Sequence, residues 1–124
     1  MKLVIAERES AALERYLATG AVLATSRVAL VEVPRATAIA NPAPAVQREA
    51  ERLLDSCLLV GVTDQLLRAA AELASPSVRT LDAIHLASAL RIGADELLAY
   101  DRRLATAAQA HALAVVSPGA QSQG

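Results

Sequence analysis

Residues 79–104 read RTLDAIHLASALRIGADELLAYDRRL, and this stretch decides the fold. Thr80 is a capping residue, and the run from Leu81 to Ile92 is rich in Ala and Leu, so the stretch predicts a helix that stops at Gly93. Leu97 to Tyr100 is a short apolar run, long enough for a buried strand and too short for a helix. Asp101 is a preferred N-cap and opens another helix, Arg102 to about Ala112. Helix, buried strand, helix is the grammar of an α/β domain with a parallel sheet.

The same alternation extends outward in both directions. Downstream, Leu113 to Val116 reads as a strand, and Ser117-Pro118-Gly119 starts a polar tail. Upstream, Ala21 to Thr25 and Leu58 to Val62 read as buried strands. Helices are expected over Arg27–Ile39 after Ser26, over Ala45–Ser56 after the loop Asn41-Pro42-Ala43-Pro44, and from Thr63 to Ala74. Pro34 is expected to kink or interrupt the first of these. Ser10 is a good N-cap for a helix with Leu13, Tyr16 and Leu17 on one face, ended by Gly20. Met1 to Ala6 reads as a piece of apolar helix with no cap before it. The expectation is one three-layer α/β/α domain over residues 1–118, with 119–124 a disordered tail.

Composition agrees. The 124 residues are 54% hydrophobic with a net charge of −1, enough for an aliphatic core and without a global basic field. Lys2 is the only lysine among 12 basic residues, so any phosphate contact falls to arginines. No apolar run reaches membrane-spanning length and no signal peptide is visible, which gives the expectation of a cytoplasmic protein. Cys57 is the one cysteine; it excludes an internal disulfide and a cysteine zinc cluster, and reads as a core residue rather than a nucleophile. Glycine-rich phosphate loops and a nucleophile elbow are absent.

In an open parallel sheet, ligands gather at the carboxyl ends of the strands. Three acidic residues are placed there by sequence: Glu32 in VALVEVPRA, Asp82 in the first turn of its helix, and Asp101 directly after a strand. Singly, each has an ordinary explanation. Glu32 fits a solvated helix face, Asp82 complements a helix dipole, and Asp101 caps a helix. As a group, carboxylates with little histidine describe a hard-cation site for Mg²⁺ or Mn²⁺, able to activate water at a phosphodiester. His85 lies one turn after Asp82, and reads as a helix-packing histidine rather than a general base.

The segments VIAERESAALERYLA, TSRVALVEVPRA, RTLDAIHLASAL and LLAYDRRLATAA, in this order, resemble the VapC-type PIN-domain toxins. That resemblance implies a sheet in the order 3-2-1-4-5. It also implies a metal-dependent endoribonuclease, the toxin of a toxin–antitoxin pair, with a small VapB-like antitoxin and a homodimer. By motif, Glu32, Asp82 and Asp101 would be catalytic and metal-binding, with Mg²⁺ or Mn²⁺ as cofactor and RNA as substrate. Ser26 matches a small polar position before the glutamate helix. Arg79, Arg102 and Arg103 stand beside the site in sequence and are candidates for RNA phosphates.

The pattern departs at its beginning. Family members open with a strand, then an aspartate, before a helix resembling Lys2 to Glu7. The expectation is therefore that the first strand and its aspartate are absent from this chain and that its natural start lies upstream. Weak or absent activity follows from that, with an alternative in which the protein only binds its antitoxin.

Overall fold

The structure, a computed structural model, describes residues 2–5, 18–73 and 76–117. Its strands are β1 (Lys2–Ile5), β2 (Val22–Ser26), β3 (Leu58–Val60), β4 (Glu96–Leu98) and β5 (Ala114–Val116). Among the described residues the helices are α1 (Ala29–Ala40), α2 (Pro44–Ser56), α3 (Asp64–Glu72), α4 (Thr80–Arg91) and α5 (Arg102–Ala110). The sheet runs β3-β2-β1-β4-β5 and every neighbouring pair is parallel. This is the predicted α/β architecture and strand order.

One expectation is overturned at the N-terminal end. Lys2–Ile5 is no helix remnant; it is the central strand of the sheet. Leu3 pairs with Leu23 on one side and with Glu96 on the other, and Val4 with Ala24 and Leu97. Three apolar residues, Leu3 to Ile5, carry no period that separates helix from strand, so the local pattern is mute. Topology decides instead. A sheet lacking its middle strand leaves the facing N–H and C=O groups of β2 and β4 unpaired, at about 1–3 kcal/mol for each unsatisfied buried group. The β-branched Val4 and Ile5, both buried, suit that slot. The start of β1 is pinned: the Lys2 N–H donates to Asp95 Oδ2 at 2.7 Å, and the Asp95 N–H donates to the Lys2 carbonyl at 2.9 Å. The other half of the departure stands in the sequence, where no aspartate precedes Asp55.

Alternation along the strands sorts the core onto two faces. Val4, Ala24 and Leu97 join Leu86 and Ala89 of α4 and Leu104 and Ala108 of α5. Their neighbours Ile5, Leu23 and Leu98 form the opposite cluster, against Leu53 of α2 and Cys57. These are the three layers. α4 is the most enclosed of the described helices: Ile84 through Ala89 are all buried, because it lies against the sheet, α3 and α5 at once. Its small residues, Ala83, Ala87, Ser88 and Ala89, permit that close packing.

α1 runs unbroken through Pro34, against the expected interruption. Pro34 is exposed while the buried side of the helix carries Ala29 and Thr37. The donor it lacks is thus lost on the wet side, where the loss is least costly. The helix expected to begin at Ser10 lies outside the described residues except for its last turn, closed by Gly20 at φ +77°. The tail from residue 118 also lies outside them.

Candidate active site

All five strands point the same way, so Ile5, Ser26, Val60, Leu98 and Val116 end at one edge of the sheet. Helices that return between parallel strands run the other way, which brings the first turn of α4 to that edge. It is also where β2 feeds α1 and β4 feeds α5. Two buried hydroxyls knit the edge: Thr25 Oγ1 donates to the Ile5 carbonyl at 2.9 Å, and Ser26 Oγ accepts from the Val28 N–H at 3.3 Å. Ser26 therefore acts in the entry to α1 as a local turn partner, two residues before the cap position, Val28.

Glu32 stands in the first turn of α1 and is partly exposed. Its Oε1 lies 2.8 Å from Nε2 of His85, whose side chain is only 3% exposed. The two residues are 53 positions apart in the chain, and this contact ties α1 to α4. The other ring nitrogen of His85, Nδ1, is buried without a hydrogen-bond partner among the described residues. Asp82 is half-buried in the first turn of α4, three residues before His85. Residues at that spacing share a helix face, with Cβ atoms about 5–6 Å apart. Glu32 and Asp82 are therefore brought to the same corner, where the N-terminal dipole of α4 favours negative charge.

Asp101 occupies the N-cap of α5. Its Oδ1 accepts from the N–H groups of Arg103 at 2.8 Å and Leu104 at 3.2 Å. Capping is thus a demonstrated role of this residue. It sits beyond β4, two strand positions from β2, an offset of about 10 Å at ordinary strand spacing. Among the described residues, no three His, Cys, Asp or Glu side chains converge as ligands for an ion. The donor set expected from sequence is collected at one edge, yet the described side chains do not fit a closed cation site.

Exposed arginines ring the same edge: Arg79 before α4, and Arg102 and Arg103 at the start of α5. Arg27, directly after β2, is a fourth that the sequence reading passed over. Its signal was available, since it follows a strand end in the same way as Asp101. Cys57 is on the opposite face of the sheet, where burial pushes its thiol up to about 11. It is a packing residue, and a poor nucleophile at neutral pH.

Residues 2–110 match the PIN domain. The chain belongs to the VapC-type PIN-domain family. It is 38% identical over 120 residues to Ribonuclease VapC46 of Mycobacterium tuberculosis, covering 95% of this chain and 91% of that protein. It is 40% identical over 128 residues to Ribonuclease VapC35 of the same organism, covering 96% and 91%. Among solved structures it is similar to that of VapBC2 from Rickettsia felis bound to a DNA fragment from their promoter. There the TM-score is 0.65 at 12% identity, over 94% of this chain and 98% of that one. At such identity the last match speaks for the fold alone, and the fold agrees with the PIN assignment.

Proposed function

We propose that this VapC-type PIN protein is the ribonuclease toxin of a toxin–antitoxin pair and hydrolyses RNA phosphodiesters at the carboxyl edge of its sheet. The observation that carries the reading is the contact between Glu32 and His85, which sets Glu32 beside the first turn of α4 and Asp82. A carboxylate held through one oxygen and partly open to solvent is suited to orient water or take its proton. Asp82 adds negative charge at the same corner. The exposed Arg27, Arg79, Arg102 and Arg103 supply forks for the phosphates on either side of the scissile bond. The names of the mycobacterial relatives support the reaction class.

The family chemistry adds a divalent cation, Mg²⁺ or Mn²⁺, and we place that requirement within the proposal, with Glu32, Asp82 and Asp101 as its donors. The described side chains do not converge on an ion, so the roles above are assigned to the residues themselves.

A VapB-like antitoxin is the proposed partner, supported by the fold shared with VapBC2. α1, the helix of Glu32, carries exposed apolar side chains for it to cover: Leu30, Val31 and Ile39, Ile39 at 82%. A segment laid there would lie next to Glu32. A homodimer and a cytoplasmic setting complete the proposal. A second reading, an inactive antitoxin-binding protein, is favoured by the open donor set and by the missing early aspartate.

The experiment is cleavage of a labelled RNA oligonucleotide by the 124-residue chain, with Mn²⁺ and with a chelator, beside the Glu32→Gln variant. Expected are cleavage that the chelator stops and a loss of about 100-fold or more in the variant. No cleavage by the intact chain, together with tight binding of the antitoxin, selects the second reading.

A further inference from the structure

We infer that His85 is the positioning residue of the nuclease site: its Nε2–H holds the Glu32 carboxylate in place, and its bare Nδ1 makes that hold one-directional. The inference rests on the reading of this edge as the site of RNA hydrolysis and adds a residue to it.

Three observations converge on His85. The first is geometric. Nε2 lies 2.8 Å from Glu32 Oε1, and two lone pairs cannot face each other at that distance, so a proton lies between them; placed on the ring nitrogen, it makes His85 the donor. The second is burial. His85 is 3% exposed within α4, a helix enclosed by the sheet, α3 and α5, whereas Glu32 is 35% exposed on α1. The buried partner is fixed by packing and the open partner is the one held. The third is Nδ1, buried with no hydrogen-bond partner among the described residues. A ring with an N–H at that position would bury an unsatisfied donor. A neutral ring protonated at Nε2 leaves only a weak acceptor bare, which is the cheaper state. Burial of Nδ1 and the carboxylate at Nε2 thus select the same tautomer.

A purely packing role for a buried position is served better by leucine, which has no orphan atom. The polar ring is retained at a cost, and the atom that offsets the cost points at Glu32. Fixing a carboxylate so that its remaining lone pairs face the substrate is the ordinary task of such a neighbour. The Glu32 side chain loses rotamer freedom when it is held between α1 and solvent, and the hydrogen bond removes much of that freedom before substrate arrives.

The test uses single-turnover cleavage of an RNA oligonucleotide by the full chain and three variants. His85→Leu is expected to lower the maximal rate by about 10- to 100-fold with little change in KM, as a positioning residue does. His85→Gln places an amide N–H close to the Nε2 position and is expected to restore most of the rate. Glu32→Gln is expected to abolish it. A wild-type rate in His85→Leu beside an inactive Glu32→Gln overturns the positioning role and leaves the site reading intact. Full activity in Glu32→Gln overturns the site reading itself. Equal loss in His85→Leu and His85→Gln shows a structural role and overturns the inference. A second measurement decides the matter whatever the turnover: ¹⁵N imidazole NMR of the wild-type chain. An Nε2-protonated His85 whose N–H signal shifts in Glu32→Gln is expected. An Nδ1-protonated ring, or a signal indifferent to Glu32, contradicts the inference.

Discussion

The two ends of the carboxyl edge hold their carboxylates in different ways. Around β2 and α4, Glu32 is held by a histidine 53 residues away on another helix. Around β4 and α5, Asp101 is held by N–H groups two and three residues further along its own chain. The first arrangement exists only when the tertiary fold is complete. The second forms wherever α5 forms. A carboxylate fixed by long-range packing can be set at a distance from its own element, and local helix energetics do not require it. A capping carboxylate does double duty, so any functional use of it comes on top of a structural one.

Substitutions at Asp101 break this comparison most directly. Asp101→Asn keeps a good N-cap and removes the charge. Stability is expected to stay within about 0.5 kcal/mol of wild type, while RNA cleavage falls by about 100-fold if the carboxylate serves the reaction as proposed. Unchanged cleavage by a folded Asp101→Asn chain would reduce Asp101 to its cap and confine the site to the α1–α4 corner. Asp101→Ala is expected to lose about 1 kcal/mol of stability as well, read by denaturant unfolding. Glu32→Gln has no cap to lose, so its unfolding midpoint is expected to stay near wild type.

A smaller effect sits on the other face of the sheet and serves as a control for both ends. The Cys57 thiol is raised from 9.0 to about 11 by burial. A raised folded value means that the protonated thiol is favoured by folding, so its contribution is complete below about pH 9 and is lost as pH climbs through the window to about 11. Alkylation by iodoacetamide is expected to be slow at neutral pH in the native chain and fast once it is unfolded. Rapid native alkylation at neutral pH would contradict the burial.

Most of the fold could be read from residue patterns because its signals are local. Thr63 accepts from the Leu66 N–H and Asp101 caps α5, both at the positions their residue types announced. The short apolar runs Ala21–Thr25 and Leu97–Tyr100 are too brief for helices, and they become β2 (Val22–Ser26) and β4 (Glu96–Leu98) with ends shifted by one or two residues. β1 failed because its evidence is not local. KLVI becomes a strand through what lies on either side of it in space, Val22–Ala24 and Glu96–Leu98, neither of which is near in sequence. Pro34 misled for a related reason, since the exposure of its face is a property of how α1 docks.

The site divides in the same way. Glu32, Asp82 and Asp101 are candidates by their positions after strands and at helix starts, and the fold places all three at the carboxyl edge of the sheet. His85 was noticed for sharing a face with Asp82, but its partner on α1 was not legible, because nothing in VALVEVPRA names a histidine on a helix 53 residues later. Nor does spacing tell how closely three side chains converge, which depends on rotamers and on strand offsets across the sheet.

The central claim is that the corner between α1 and the first turn of α4 hydrolyses RNA. Its most direct test is Asp82→Asn in the full chain, assayed for cleavage of a labelled RNA oligonucleotide in Mn²⁺ beside wild type, with folding checked by circular dichroism. The account predicts cleavage by the wild type and a loss of about 100-fold or more in a variant that folds normally. Wild-type cleavage by folded Asp82→Asn would contradict it.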